Sequence, residues 1–146
     1  ITDILVSMDD KYLYFSNWFH GDLRQYDISD PSKPKLTGRV WIGGMLGKAD
    51  RVNGRNVHGA PQMIQLSLDG KRLYVTTSLF SSWDNQFYPD MKDKGGLMLV
   101  IDCDIENGGM RIRENFIIDF SKEPNGPSRA HETRYPGGDC SSDIWV

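Results

Sequence analysis

Residues 62–77 read QMIQLSLDGKRLYVTT, two apolar-alternating runs on either side of Asp69-Gly70. Ile64, Leu66 and Leu68 alternate before the Asp-Gly pair, and Leu73 and Val75 alternate after it. An Asp-Gly turn flanked by period-two alternation is the strongest short-range signal for a β-hairpin. The same pattern stands sixty residues earlier as ILVSMDDKYLYFS, residues 4–16. Ser7, Asp9, Lys11, Leu13 and Tyr14 superpose on Ser67, Asp69, Lys71, Leu73 and Tyr74. An internal repeat outranks other sequence signals for fold, because repeats bury their apolar faces on one another.

Working outward, each repeat unfolds as four short strands. The first expects strands at 4–7, 11–17, 22–28 and 35–42, the third and fourth joined by the Pro-punctuated turn Asp30-Pro31-Ser32-Lys33-Pro34. The second expects strands at 62–67, 72–77, 97–102 and 110–119, with a long aromatic loop, Ser78–Gly96, between its second and third. The last residues, Asp143-Ile144-Trp145-Val146, match Asp3-Ile4-Leu5-Val6 and read as the opening strand of a third repeat. Helical periodicity is nowhere convincing. Four-stranded antiparallel repeats are the unit of a β-propeller, so the expected fold is all-β, about two propeller blades plus a closing strand. The expected boundaries are a blade over 1–44, a loop over 45–60, a blade over 61–120, and a loop and closing strand over 121–146. A β-sandwich would also give regular short strands but leaves the repeat unexplained.

Composition narrows the partners. A net charge of −3 with acids and bases interspersed argues against nucleic acid. No run approaches the roughly 20 apolar residues of a membrane span, so no transmembrane segment is expected. No charged start leads into an apolar stretch, so no secretory leader is read, and a chain opening on Ile1 is expected to be a piece of a longer protein. Cys103 lies in a strand-like apolar run and reads as a buried, inert thiol. Cys140 follows two glycines and an Asp; the two cysteines form no CxxC pair and are expected not to be bridged to each other, which fits a reducing compartment.

The blade arrangement places the loops. Loops after the second strand of each blade, and those between blades, fall on one face of the ring. His20 lies in the first kind, and His58 and His131 in the second, so the three histidines of the chain share a face. Imidazole suits copper, zinc, iron and nickel, and ligands from separate loops can converge. Spacing alone gives nothing more: no HExxH, no G-x-S-x-G and no glycine-rich phosphate loop is present. The ordinary alternatives are solvated loop histidines, turn chemistry at Asp9-Asp10, and an exposed His131-Glu132 pair. Tyr12, Tyr14, Trp18, Trp41 and Tyr74 read as blade packing.

Three stretches carry a resemblance: SNWFHGDLRQYDISDPSKPKLTG (16–38), GAPQMIQLSLDGKRLYVTTSLFSSWDNQFYP (59–89) and AHETRYPGGDCSSDIWV (130–146). They resemble the C-terminal third of the selenium-binding protein family, whose animal and bacterial members are methanethiol oxidases. Residues 45–60 depart, being shorter than in the family, so no family role passes to His58. The resemblance implies a seven-bladed propeller and an oxidase that turns methanethiol, oxygen and water into formaldehyde, hydrogen sulfide and hydrogen peroxide. It further implies copper held by histidines. His20 of the WFHGD stretch and His131 of the AHE stretch match family histidines and are the expected metal ligands. The selenium-associated cysteine of the family lies upstream, so selenium is not assigned to Cys103 or Cys140.

The partners so implied are a small thiol, oxygen and the remaining blades of the parent chain, in a cytoplasmic protein. Peripheral association with a membrane, and the nucleus in a eukaryotic member, stay open. The competing class is a non-catalytic propeller platform for intracellular protein transport or selenium and thiol sensing. Copper held by two histidines is under-coordinated, so this chain alone is expected to bind it weakly and to oxidise no methanethiol.

Overall fold

A computed structural model of the chain describes residues 1–49, 51–134 and 136. Strands β1 (Asp3–Val6), β2 (Tyr12–Asn17), β3 (Asp22–Asp27) and β4 (Lys35–Trp41) form one four-stranded sheet. A second sheet holds β5 (Ile64–Leu66), β6 (Arg72–Thr76), β7 (Leu97–Cys103) and β8 (Met110–Asp119). Both are antiparallel and ordered as in the chain, the all-β arrangement of two propeller blades. The proposed third-repeat strand at 143–146, with Cys140, lies outside the described residues.

The sequence repeat is a repeat of bonding. In the first turn Ser7 Oγ donates to Asp9 Oδ1 at 2.6 Å, and the amides of Lys11 and Tyr12 donate to Asp9 and Ser7. In the second, Ser67 Oγ donates to Asp69 Oδ1 at 2.5 Å, with Lys71 and Arg72 in the same roles. Such side-chain bonds to local backbone are what make Ser and Asp turn residues. Asp10 has a left-handed φ of 56° where the second turn has Gly70 at 70°. Asp9-Asp10 is therefore turn structure.

The two sheets pack face to face. Leu5, Tyr12, Tyr14 and Leu23 of the first meet Ile64, Leu66, Leu73, Val75, Leu99 and Ile101 of the second in one buried cluster. Gln25, a buried polar side chain beside it, is fully paired, as burial favours. Gln25 donates to Tyr14 Oη at 3.0 Å and accepts from Thr37 Oγ1 at 2.9 Å and from the Gly109 amide at 2.7 Å. At the opposite end Ser16 Oγ donates to the Gln62 carbonyl at 2.6 Å, and the Ile64 amide donates to Asp3 Oδ2 at 2.7 Å. Cys103 is a free, buried thiol, pushed up to about 12 by burial and so inert at neutral pH.

Two features correct the sequence reading. The loop 78–96 contains helices, α1 (Ser81–Phe87) and α2 (Met91–Lys94). With seven and four residues, neither is long enough to show a 3.6-residue period. Phe80 at the start of α1 offers no capping side chain, and the one buried residue of α1 is Asp84, so no apolar stripe marks it. Trp18, read as blade packing, instead joins Ala60, Tyr88 and Met91 in a second buried cluster above the sheets. Among the described residues no helix is long and apolar enough to cross a membrane.

Candidate metal centre

His20 sits at the tip of the turn between β2 and β3. Its neighbours fix that turn: the Gly21 amide donates to the Asn17 carbonyl at 2.7 Å, and the Met45 amide donates to the Phe19 carbonyl at 2.9 Å. Gly21 adopts a φ of +85°, and a Cβ there would overlap the backbone of Gly43 and Gly44. Below the tip, the buried carboxylate of Asp22 accepts from Asn17 Nδ2 at 3.0 Å and from Arg24 Nε at 2.7 Å. The His20 ring itself is exposed and makes no hydrogen bond to a described residue.

His131 follows the 3-10 turn Phe120–Lys122 that comes after β8. Its carbonyl accepts from Thr76 Oγ1 at 2.6 Å, which pins the segment to the end of β6. Its Nδ1 lies 3.4 Å from the Ser78 carbonyl, a long contact. With the proton on Nδ1, directed at that carbonyl, Nε2 keeps its lone pair, the arrangement found in metal-ligating histidines. The segment is held further by Asp84, buried in α1, which accepts from Ser78 Oγ at 2.6 Å and from the Leu79 amide at 3.2 Å. Arg129 pairs with Asp84 at 3.5 Å and donates to Asn85 Oδ1 at 2.7 Å. Asp3 lies within electrostatic reach of Glu132 and His131; burial pushes its carboxyl up, against the lowering effect of the Ile64 amide.

The two candidate ligands therefore flank the stretch Ser78-Leu79. His131 touches the Ser78 carbonyl, and His20 shares a cavity with Leu79. Both lie at the end of the sheets where β2 and β6 finish. Among the described residues no group of three or more His, Cys, Asp or Glu that could hold a metal ion is present. His58, next to Gly59 at the same end of the sheets, is half-buried near α2, its pKa lowered by burial and then by Lys94. Asp84 and Arg129 were invisible to sequence reasoning, because nothing in SSWDNQ or in a Pro- and Gly-rich tail announces a buried ion pair. Imidazole is a donor type that suits copper.

Paired blades with histidine-bearing loops at one end define a section of a β-propeller with a candidate imidazole metal site. The chain belongs to the 56 kDa selenium binding protein (SBP56) family, whose family model matches residues 1–146. It is 58% identical to the methanethiol oxidases of Rattus norvegicus and Homo sapiens, over 100% of this chain and 34% of each relative. It is 53% identical to selenium-binding protein 1 of Arabidopsis thaliana, over 100% of this chain and 33% of that one. The X-ray structure of a hypothetical selenium-binding protein from Sulfolobus tokodaii superposes with a TM-score of 0.84 at 48% identity, covering 100% of this chain and 30% of that one. The chain thus spans about a third of the length of the curated relatives it matches.

Proposed function

We propose that the protein containing this chain is a copper-dependent, cytoplasmic methanethiol oxidase, converting methanethiol, oxygen and water into formaldehyde, hydrogen sulfide and hydrogen peroxide. The observation that carries this reading is the 58% identity, along the whole chain, to proteins named methanethiol oxidase. The site geometry supports it through His20 and His131, two imidazoles free to coordinate at one end of the blades. Copper bound there supplies a thiophilic centre that favours thiolate at neutral pH and can pass single electrons to oxygen, which zinc cannot.

The chain's own residues have three tasks. His20 and His131 hold the metal through ring nitrogens. The Ser78 carbonyl accepts from Nδ1–H of His131 and orients its ring. The Asp84–Arg129 pair keeps Ser78 and residue 131 in register with one another. Further ligands come from the other blades, completing a seven-bladed ring. The buried Cys103 thiol, its pKa pushed up to about 12, is not assigned a selenium role.

The test is copper content together with hydrogen sulfide and peroxide release from the full-length protein and its His20→Ala and His131→Ala variants. Each variant should lose copper and fall in turnover by more than the roughly 10–100-fold that loss of an outer-shell partner costs. Full copper and turnover in both variants removes them from the ligand set. A copper-loaded wild type that oxidises no thiol overturns the activity itself and returns the platform reading. Fractionation of cells checks the cytoplasmic assignment.

A further inference from the structure

Beside His20 the surface opens into a cavity of about 420 Å³, walled by Trp18, Phe19, Leu79 and Trp83 with Ile1 and Thr2 at its edge. Its lining is mainly apolar, although it lies next to a candidate metal ligand. Phe19 and Trp83 are 45% and 46% exposed, which the packing of the two blades does not require. They are nevertheless held in place. Trp18 stands edge-on to Phe87 and Tyr88 with ring centroids 5.4 Å and 5.2 Å apart, Phe19 lies edge-on to Phe87 at 4.9 Å, and Trp83 stacks on Phe87 at 6.0 Å. The Tyr88 hydroxyl donates to the Trp18 carbonyl at 2.7 Å, and α1, which carries Trp83, is anchored by Asp84. Trp18 Nε1–H is buried without an acceptor among the described residues.

We propose that this cavity receives the alkyl group of the thiol substrate, and that Trp18 and Trp83 set the range of thiols accepted. The proposal rests on the oxidase reading above for the identity of its occupant. An apolar wall meeting an imidazole suits a molecule with one sulfur and a short hydrocarbon. The space exceeds what one carbon fills. Ethanethiol and propanethiol therefore bind more tightly than methanethiol, because each added methylene leaves water for an aromatic wall. At about 0.8 kcal/mol per buried methylene the dissociation constant falls about fourfold per carbon.

The experiment is anaerobic titration of copper-free, full-length protein with methanethiol, ethanethiol and propanethiol, read by tryptophan fluorescence, alongside turnover of the copper-loaded protein. The expected result is the stepwise fall in dissociation constant, a loss of affinity in Trp83→Ala that grows with chain length, and partial rescue in Trp83→Phe. A flat series, or a Trp83→Ala variant that binds all three thiols as wild type does, means that another part of the protein fills the cavity and overturns the proposal. If the chain-length trend holds but the loaded protein oxidises no thiol, the oxidase reading falls and the cavity assignment stands. If thiols are oxidised with a flat series, the reverse is true.

Discussion

Asp84 is a fully buried carboxylate on a helix of seven residues, and its charge is met by Arg129 and by donors from Ser78 and Leu79. Removing one partner of a buried pair leaves an uncompensated charge, which costs about 3–5 kcal/mol. Asp84→Ala should therefore lower unfolding free energy in urea by about 3 kcal/mol and also lower copper occupancy, since Ser78 and residue 131 lose their common tether. Stability loss with unchanged copper content would confine Asp84 to the fold. Asp119 contributes to the response to acid. Ser121 hydrogen bonds and the Arg55 guanidinium hold its carboxyl down to about 2, against an ordinary value near 4. A lowered folded-state pKa means stability that is complete above the ordinary value and lost as pH falls through about 2. Urea midpoints should drop between pH 4 and pH 2, and Asp119→Asn should flatten that drop; an equally steep loss in the variant excludes this residue as its source. Little of this was legible beforehand. His20 and His131 stood out through family resemblance, while the environment that holds them depends on burial, which one sequence does not display.

Among elements, the strands were legible because alternation and turn chemistry act locally. The Ser-x-Asp turns made in space the bonds that the repeat implied, and β8 occupies the residues the pattern marked. The insertion was not legible as helix, since α1 and α2 are stabilised by tertiary contacts of Asp84 and Met91 and carry no apolar period of their own. Glycine spacing hid a further constraint. Where the loop from β4 turns toward the second sheet, Gly43 has a φ of +63°, and a Cβ there would overlap the carbonyl oxygen of Gly59. Gly47 has the same φ of +63° but open space around it. Both should suffer from alanine by the roughly 1–2 kcal/mol that a left-handed residue costs. Gly43→Ala should lose clearly more, because backbone must move. Thermal unfolding of the two variants compares them directly, and equal losses would show that the Gly43–Gly59 approach relaxes without cost.

Across the whole molecule, the same repeat positions are buried in one blade and open in the other. Ile64 and Leu66 are 4% and 0% exposed against the first sheet, whereas their counterparts Ile4 and Val6 are 55% and 41% exposed. Register extends the open rows across the sheet, Ile4 beside Phe15 and Arg24, and Val6 beside Leu13, Tyr26 and Leu36. A repeat protein buries such a face on the neighbouring repeat, and two blades leave one of them without a neighbour. Uncovered apolar area on this scale drives association, and β1 adds a strand edge that no strand among the described residues pairs. The chain expressed alone should therefore self-associate as concentration rises, measured by sedimentation velocity. Ile4→Lys should restore the monomer while leaving the far-ultraviolet spectrum and urea midpoint nearly unchanged, because its side chain already meets water. Ile64→Lys should unfold the chain, because the equivalent position is sealed between sheets. A chain that stays monomeric at every concentration, or two lysine variants that are equally destabilised, would mean that the first blade's outer face is not where the next part of the protein packs.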